Sequence, residues 1–255
     1  MCTFKVRRWL VAAAVLCSTP TIWAAPSLEE RRKKIKSMET NVSPDALHRK
    51  LRSEATLRAE AVPVNLHLPA IASEREAKIR GKDEVAMRAL ALLVAAVKGE
   101  GLELRIVERL VKEYGLRSTF TPKEKAFLAN EKPSQMDRVQ FSWRYEAAWT
   151  LLWSLGFVEK LGKPVGICDV PRAVSTMKDR STKTFLAGAK LRALPEVLDE
   201  ADRIYRYHWA VTDARVKGKP SPAGLEPGVT LERHYALNWL IGYMDQEWDD
   251  ISTDT

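Results

Sequence analysis

LERHYALNWLIGYMDQEWDD, residues 231–250, is the stretch whose reading decides the fold class. Tyr235, Leu237, Trp239, Leu240, Ile241 and Tyr243 form an apolar stripe at the spacing of a helix that faces a core. Glu232, Arg233, His234 and Asn238 interrupt that stripe with polar groups. Two upstream stretches mix Trp and Tyr with Arg, His and acids in the same way: SWRYEAAWTLLWSLG (142–156) and EADRIYRYHWAVTDAR (200–215). The three helices are expected to pack together around a buried or half-buried polar cluster.

Working outward, the other periodic stretches are helical too. Asp83 to Lys98 is apolar on most faces and should be the most buried helix, closed by Gly99 and Gly101. Leu102 to Tyr114 follows, with Gly115 as its stop. Thr121, Pro122 and Glu124 combine an N-cap, a first-turn proline and a capping-box acid. One helix is expected from Ser134 to Gly156, with Trp149 stacked on Trp153 one turn later. Asp169 caps another helix, a short one covers Lys183 to Ala189, and a long one begins near Pro195. Residues 217–228 hold three Pro and three Gly and read as a loop. Toward the N-terminus, Ser43-Pro44 starts a helix to about Glu60, and Pro63 and Pro69 impose an extended crossing that contains His67. Ser73 and Glu76 form a capping box that should open a helix bent or ended by Gly81. No stretch alternates with period two, and no internal repeat is evident. The expectation is an all-α protein: one multi-helix globular domain with a polar, aromatic-rich helix cluster.

Residues 1–24 have the three parts of a secretory signal peptide: basic Lys5, Arg7 and Arg8, an apolar Trp9 to Leu16, and small residues at Ala24 and Ala25. The apolar run is far shorter than the roughly 20 residues that span a bilayer, so no stable transmembrane segment is expected. A periplasmic or secreted protein cleaved near Ala24 is. Removing three of the 41 basic residues leaves 38 against 33 acids. Residues 25–62 read as a charged helical extension opened by a Ser27–Glu30 capping box, and 63–255 as the main domain. The Arg31 to Lys34 run reads as a solvated helix face, and nucleic acid is an unlikely partner without a basic, aromatic-interleaved stripe. Cys168 would be the only thiol after cleavage, which excludes an intrachain disulfide.

The chemistry is less legible. No metal is expected: neither His208 nor His234 has a His, Cys or acid three or four residues further along its helix. No nucleophile elbow or phosphate loop is present, and nothing implies a cofactor. Arg144, Arg206 and Arg233 each sit beside aromatic residues. They could line a pocket for a small anion or pair internally with Glu146, Asp202 and Glu232, and the second reading is preferred. The candidate binding residues are Arg144, Glu146, Arg206, His208, Glu232, Arg233, His234, Asn238 and Asp249.

FSWRYEAAWTLLWSLGFVEKL, IYRYHWAVTDAR and ERHYALNWLIGYMDQEWDDISTDT resemble the bacterial family called domain of unknown function 4272. The resemblance runs from about Asp45 to the C-terminus. It implies a mostly helical fold and no established reaction, cofactor or catalytic residue. Export departs from what the family implies.

The leading functional expectation is an exported binding or interaction protein with a polar pocket among the three helices, its partner a small anionic ligand or a protein. The alternative is a hydrolase-like enzyme using a Glu/His cluster on the late helices. His208 and His234 within reach of each other, or of an open pocket, would favour the enzyme; rings sealed by Trp and satisfied by backbone would favour a scaffold.

Overall fold

The computed structural model describes residues 27–40 and 42–255. The expected signal peptide lies outside them. Eleven α-helices follow one another among the described residues: α1 Leu28–Thr40, α2 Pro44–Ala59, α3 Lys82–Gly99, α4 Leu104–Glu113, α5 Pro122–Ala129, α6 Gln135–Ser142, α7 Arg144–Ser154, α8 Val170–Lys178, α9 Thr182–Gly188, α10 Leu194–Val216 and α11 Pro227–Leu240. No strand occurs among these residues, so the all-α expectation holds. No helix among them is long and apolar enough to cross a membrane.

The centre is a layer of four helices. α3 packs on α7, α7 on α11, and α11 on α10, while α2 covers α10 from outside. Every α3 residue from Val85 to Ala96 except Met87 is buried, because Ala and Leu on all faces let neighbours approach from every side. α2 belongs to this packed body as well: Ala46, Arg49, Ser53, Glu54 and Leu57 are buried. α1 is mostly exposed and touches the body through Ile35 and an Arg31–Asp254 ion pair at 3.1 Å.

Side-chain caps set several helix starts. Thr121 and Ser134 each make both bonds of a capping box, and the Asp169 and Ser181 side chains accept from backbone three residues on. Four expectations need correction. Ser73 and Glu76 bond to each other, but only a single turn forms there and the helix starts at Lys82. The expected 134–156 helix is interrupted at Trp143, separating the half-exposed α6 from the fully packed α7. Trp149 and Trp153 do not pair: Arg172 lies over the first ring at 5.9 Å and Arg192 over the second at 5.0 Å. The 231–250 helix begins earlier, at Pro227, and ends at Leu240. Gly242 then turns the chain with φ +67°, and two short 3-10 turns, Tyr243–Asp245 and Trp248–Asp250, lead back across the molecule.

The absence of an internal repeat also has to be revised. Lys78 N–H donates to Ile241 O at 3.2 Å, Arg80 N–H to Leu240 O at 2.9 Å, and Arg80 Nε to Trp239 O at 3.0 Å. The same device ends α7: Lys190 N–H donates to Leu155 O at 2.9 Å, Arg192 N–H to Ser154 O at 2.8 Å, and Arg192 Nε to Trp153 O at 2.7 Å. Each arginine also covers the tryptophan it caps and pairs with a glutamate one turn on, Glu84 or Glu196. The segment leading into α3 therefore caps α11, and the segment leading into α10 caps α7. Gly242 and Gly156 (φ +79°) both turn the chain beneath these straps. A Cβ on Gly242 would lie 2.7 Å from Lys78 O. In this register EAAWTLLWSLGF (146–157) matches ERHYALNWLIGY (232–243).

Candidate functional site

The nine candidate residues divide between the two sides of α11. On the α7 side the charges pair crosswise. Arg144 Nη1 donates to both Glu232 oxygens at 3.0 and 3.2 Å, while Arg233 Nε donates to Glu146 Oε2 at 3.3 Å. Glu146 and Glu232 occupy matching positions in the repeated register, so each acid takes an arginine from the facing helix. Arg233 continues to the carbonyls of Leu161 and Gly162, and Glu146 Oε1 accepts from Cys168 N–H. Both side chains are buried, and they tie the 157–169 loop to the helices. Burial disfavours the Arg144 cation, but Glu232 beside it more than offsets this and holds its pKa up.

Arg206 is also internal. Its Nε and Nη2 grip Asp202 at 2.9 and 2.8 Å, and Nη2 reaches Pro69 O at 3.1 Å. The Arg206 fork fixes the extended crossing to α10. Asp249 accepts from Lys123 N–H at 3.0 Å, which fastens the C-terminal tail to the start of α5. The internal pairing of all three arginines removes them as the walls of one open anion pocket.

The two histidines meet on the α10 side. His208 Nδ1 and His234 Nδ1 are 2.9 Å apart, with ring centroids 5.1 Å apart and edge to face. Tyr205, one turn before His208, packs on the His234 ring with centroids 5.6 Å apart. Burial lowers the His208 pKa to about 4, with Arg215 adding to the effect. Burial, then His208, lowers that of His234 well below its ordinary value. Both rings are therefore neutral near pH 7. A close contact between two neutral imidazoles requires one Nδ1–H donor and one bare Nδ1 acceptor. The outer nitrogens are then opposite in character: one Nε2 accepts and the other donates.

His234 opens onto a cavity of about 300 Å³ between α10, α11, the crossing at Leu68–Ile71, α1 and the tail. Only 2% of His234 is exposed, and its Nε2 has no partner among the described residues. The Tyr205 and Tyr243 hydroxyls line the same space without a partner among the described residues; Asn238 lines it too, its Nδ2 donating to Ser252 O at 2.9 Å. Leu68, Ile71 and Ile241 supply apolar wall, and Ile35 of α1 closes one side. The pocket is thus bounded by two of the three expected helices; α7 is not part of it. Asp254, the acid at the rim, is paired with Arg31. No group of three His, Cys, Asp or Glu suited to a metal occurs among the described residues.

Of the candidates, His208, His234 and Asn238 belong together here, whereas Arg144, Glu146, Arg206, Glu232, Arg233 and Asp249 do not. Tyr205 was findable, since it shares a helix face with His208 at i, i+3. Tyr243 and the tail were not, because the sequence there reads as continued helix.

Fold and cavity define the chain as a single all-α domain with a ligand-sized pocket that combines apolar walls and a few polar groups. It belongs to the family described as domain of unknown function 4272, whose model matches residues 49–251. No curated protein and no solved structure matches it.

Proposed function

We propose that this chain is an exported binding protein for a small, uncharged, mostly apolar molecule carrying a hydroxyl or carbonyl group, held in the His234 cavity. One observation carries the reading. At the positions that match His234, Asn238, Tyr205 and His208 in the repeated register, the other half has Ala148, Leu152, Leu93 and Ala96, all fully buried. The architecture is satisfied there by plain apolar packing. Polar groups in one half alone, facing a cavity with hydrogen-bonding capacity left unused among the described residues, answer to a ligand. A few convergent polar groups in an apolar wall are the usual composition of a small-molecule site. The rim charges cancel, so neither net anion nor net cation is favoured. Native mass spectrometry of purified protein should retain such a molecule, and phenol or cyclohexanol should raise Tm where benzoate does not. If His234→Leu leaves those shifts intact, the cavity is not the site. Export rests on the leader at 1–24, and N-terminal sequencing of host protein should begin near Ala25.

The second reading, a hydrolase, is favoured by the His208–His234 contact itself, because the two rings are within hydrogen-bond reach and one faces a cavity. Its chemistry is weaker. A base whose pKa lies far below 7 draws little proton from water at neutral pH, and no carboxylate orients either ring. Hydrolysis of small neutral esters that is lost in both His208→Leu and His234→Leu would establish it over simple binding.

A further inference from the structure

A second site lies where α5, α6 and α7 meet the C-terminal tail. The groove there has a volume of about 560 Å³. Two charged groups in it are incompletely bonded. Glu124 is 2% exposed; its Oε2 accepts from Arg88 Nη2 at 2.5 Å and from Thr121 N–H at 3.0 Å, while its buried Oε1 has no partner among the described residues. Arg144 commits Nη1 to Glu232, while its Nε is buried and without a partner among the described residues. The Arg144 guanidinium lies over the Tyr235 ring at 5.0 Å, and Phe141 stacks on Phe127 at 3.8 Å, so the groove also has aromatic walls.

We infer that this groove binds a small zwitterion with an aromatic side chain, its ammonium on Glu124 and its carboxylate on Arg144. The charge pattern selects that class. Glu124 already faces Arg88 and Arg144 faces Glu232, while Lys123 Nζ donates to the Asp249 backbone carbonyl and the Asp249 carboxylate accepts from Lys123 N–H. A ligand of single charge meets a site whose charges are already balanced. One carrying both signs completes a free acceptor and a free donor together. Asp137, which also lines the groove, keeps its carboxylate on Ser134 in a capping box. This site shares no lining residue with the His234 cavity, so it stands or falls separately from the proposed function.

Calorimetric titration with L-phenylalanine, 2-phenylethylamine and 3-phenylpropionate tests it, because the last two each lack one charged end. Phenylalanine should bind about tenfold or more tighter than either. Glu124 and Arg144 also hold the fold, so the blocking variant is Ala126→Trp, on the exposed face of α5 at the groove. It should abolish phenylalanine binding without lowering Tm, and His234→Leu should leave that binding unchanged. Equal affinity for phenylethylamine would mean a simple cation site and overturn the inference. So would no binding of phenylalanine, which would leave only water bridging Glu124 and Arg144, or binding that persists in Ala126→Trp.

Discussion

At the scale of the residue, the charged side chains that looked most like a pocket are fasteners. Arg233 is 2% exposed and joins Glu146 to two loop carbonyls. Arg233→Ala strands the Glu146 carboxylate and frees both carbonyls, a loss of about 3–5 kcal/mol for a broken buried pair. Its melting temperature should fall sharply, with or without phosphate; a stabilisation by phosphate seen in wild type and lost in the variant would instead restore an anion pocket. The set of partner acids was legible, and so was the local Arg206–Asp202 pair, but the two crosswise pairs were not. Glu232 is adjacent to Arg233 along the chain, yet points to Arg144, because successive side chains on a helix diverge by about 100°. The histidine contact was equally out of reach, since it joins two helices whose relative rotation no local pattern states.

At the scale of the element, local chemistry was readable where one helix turn decides it. The Thr121 and Ser134 caps, the Asp169 cap and the Pro195 start all follow from residues within a few positions of one another. Ser73–Glu76 has the same signature and makes the same kind of bond, but the Lys78–Arg80 backbone is taken up by the end of α11, so no helix can continue through it. Gly242 is the pivot of that exchange. Gly242→Ala combines a left-handed φ with a Cβ 2.7 Å from Lys78 O. It should cost about 1–2 kcal/mol for the backbone alone, with more for the displaced strap; a denaturation midpoint equal to wild type would show that the strap is dispensable. α1 is the contrasting case. Its Arg31–Asp254 pair is partly exposed, worth about 0–1 kcal/mol, and Ile35 is its contribution to the cavity wall. A chain beginning at Val42 should keep its Tm within a few degrees, and should release a cavity ligand faster in stopped-flow exchange. Loss of folding in that chain would place α1 in the core after all.

At the scale of the whole molecule, the two reciprocally capped halves provide an internal control for what the fold requires. One half shows α3 and α7 closing with Ala96, Ala148 and Leu152; the other carries His208, His234 and Asn238 at the matching positions. The likeness escaped sequence inspection because only a dozen residues of each half match, and each strap caps a helix of the other half: the one before α3 caps α11, the one before α10 caps α7. If the polar half exists for a ligand, making it resemble the other should cost function and not stability. His208→Leu/His234→Leu should keep the Tm at pH 7 or raise stability by about 0.5–2 kcal/mol, while cavity binding disappears. The pH dependence gives the same pair a second signature. A histidine whose folded pKa is depressed binds fewer protons in the native state than in the unfolded one, so stability is fully present above about 6.5 and falls as pH drops toward 4. For His208 alone, held near 4 by burial, that loss is on the order of 3 kcal/mol across the window. Arg215 near His208, and Tyr205, Tyr243, His67 and Asp254 around the cavity, are the other charged or titratable groups nearby. Wild type should therefore lose stability steadily from pH 6.5 to 4.5 in chemical denaturation, and the double variant should be nearly flat there. A double variant that unfolds at pH 7 would mean that the imidazole pair holds the two helices together, and the cavity would have to be read as a by-product of that joint.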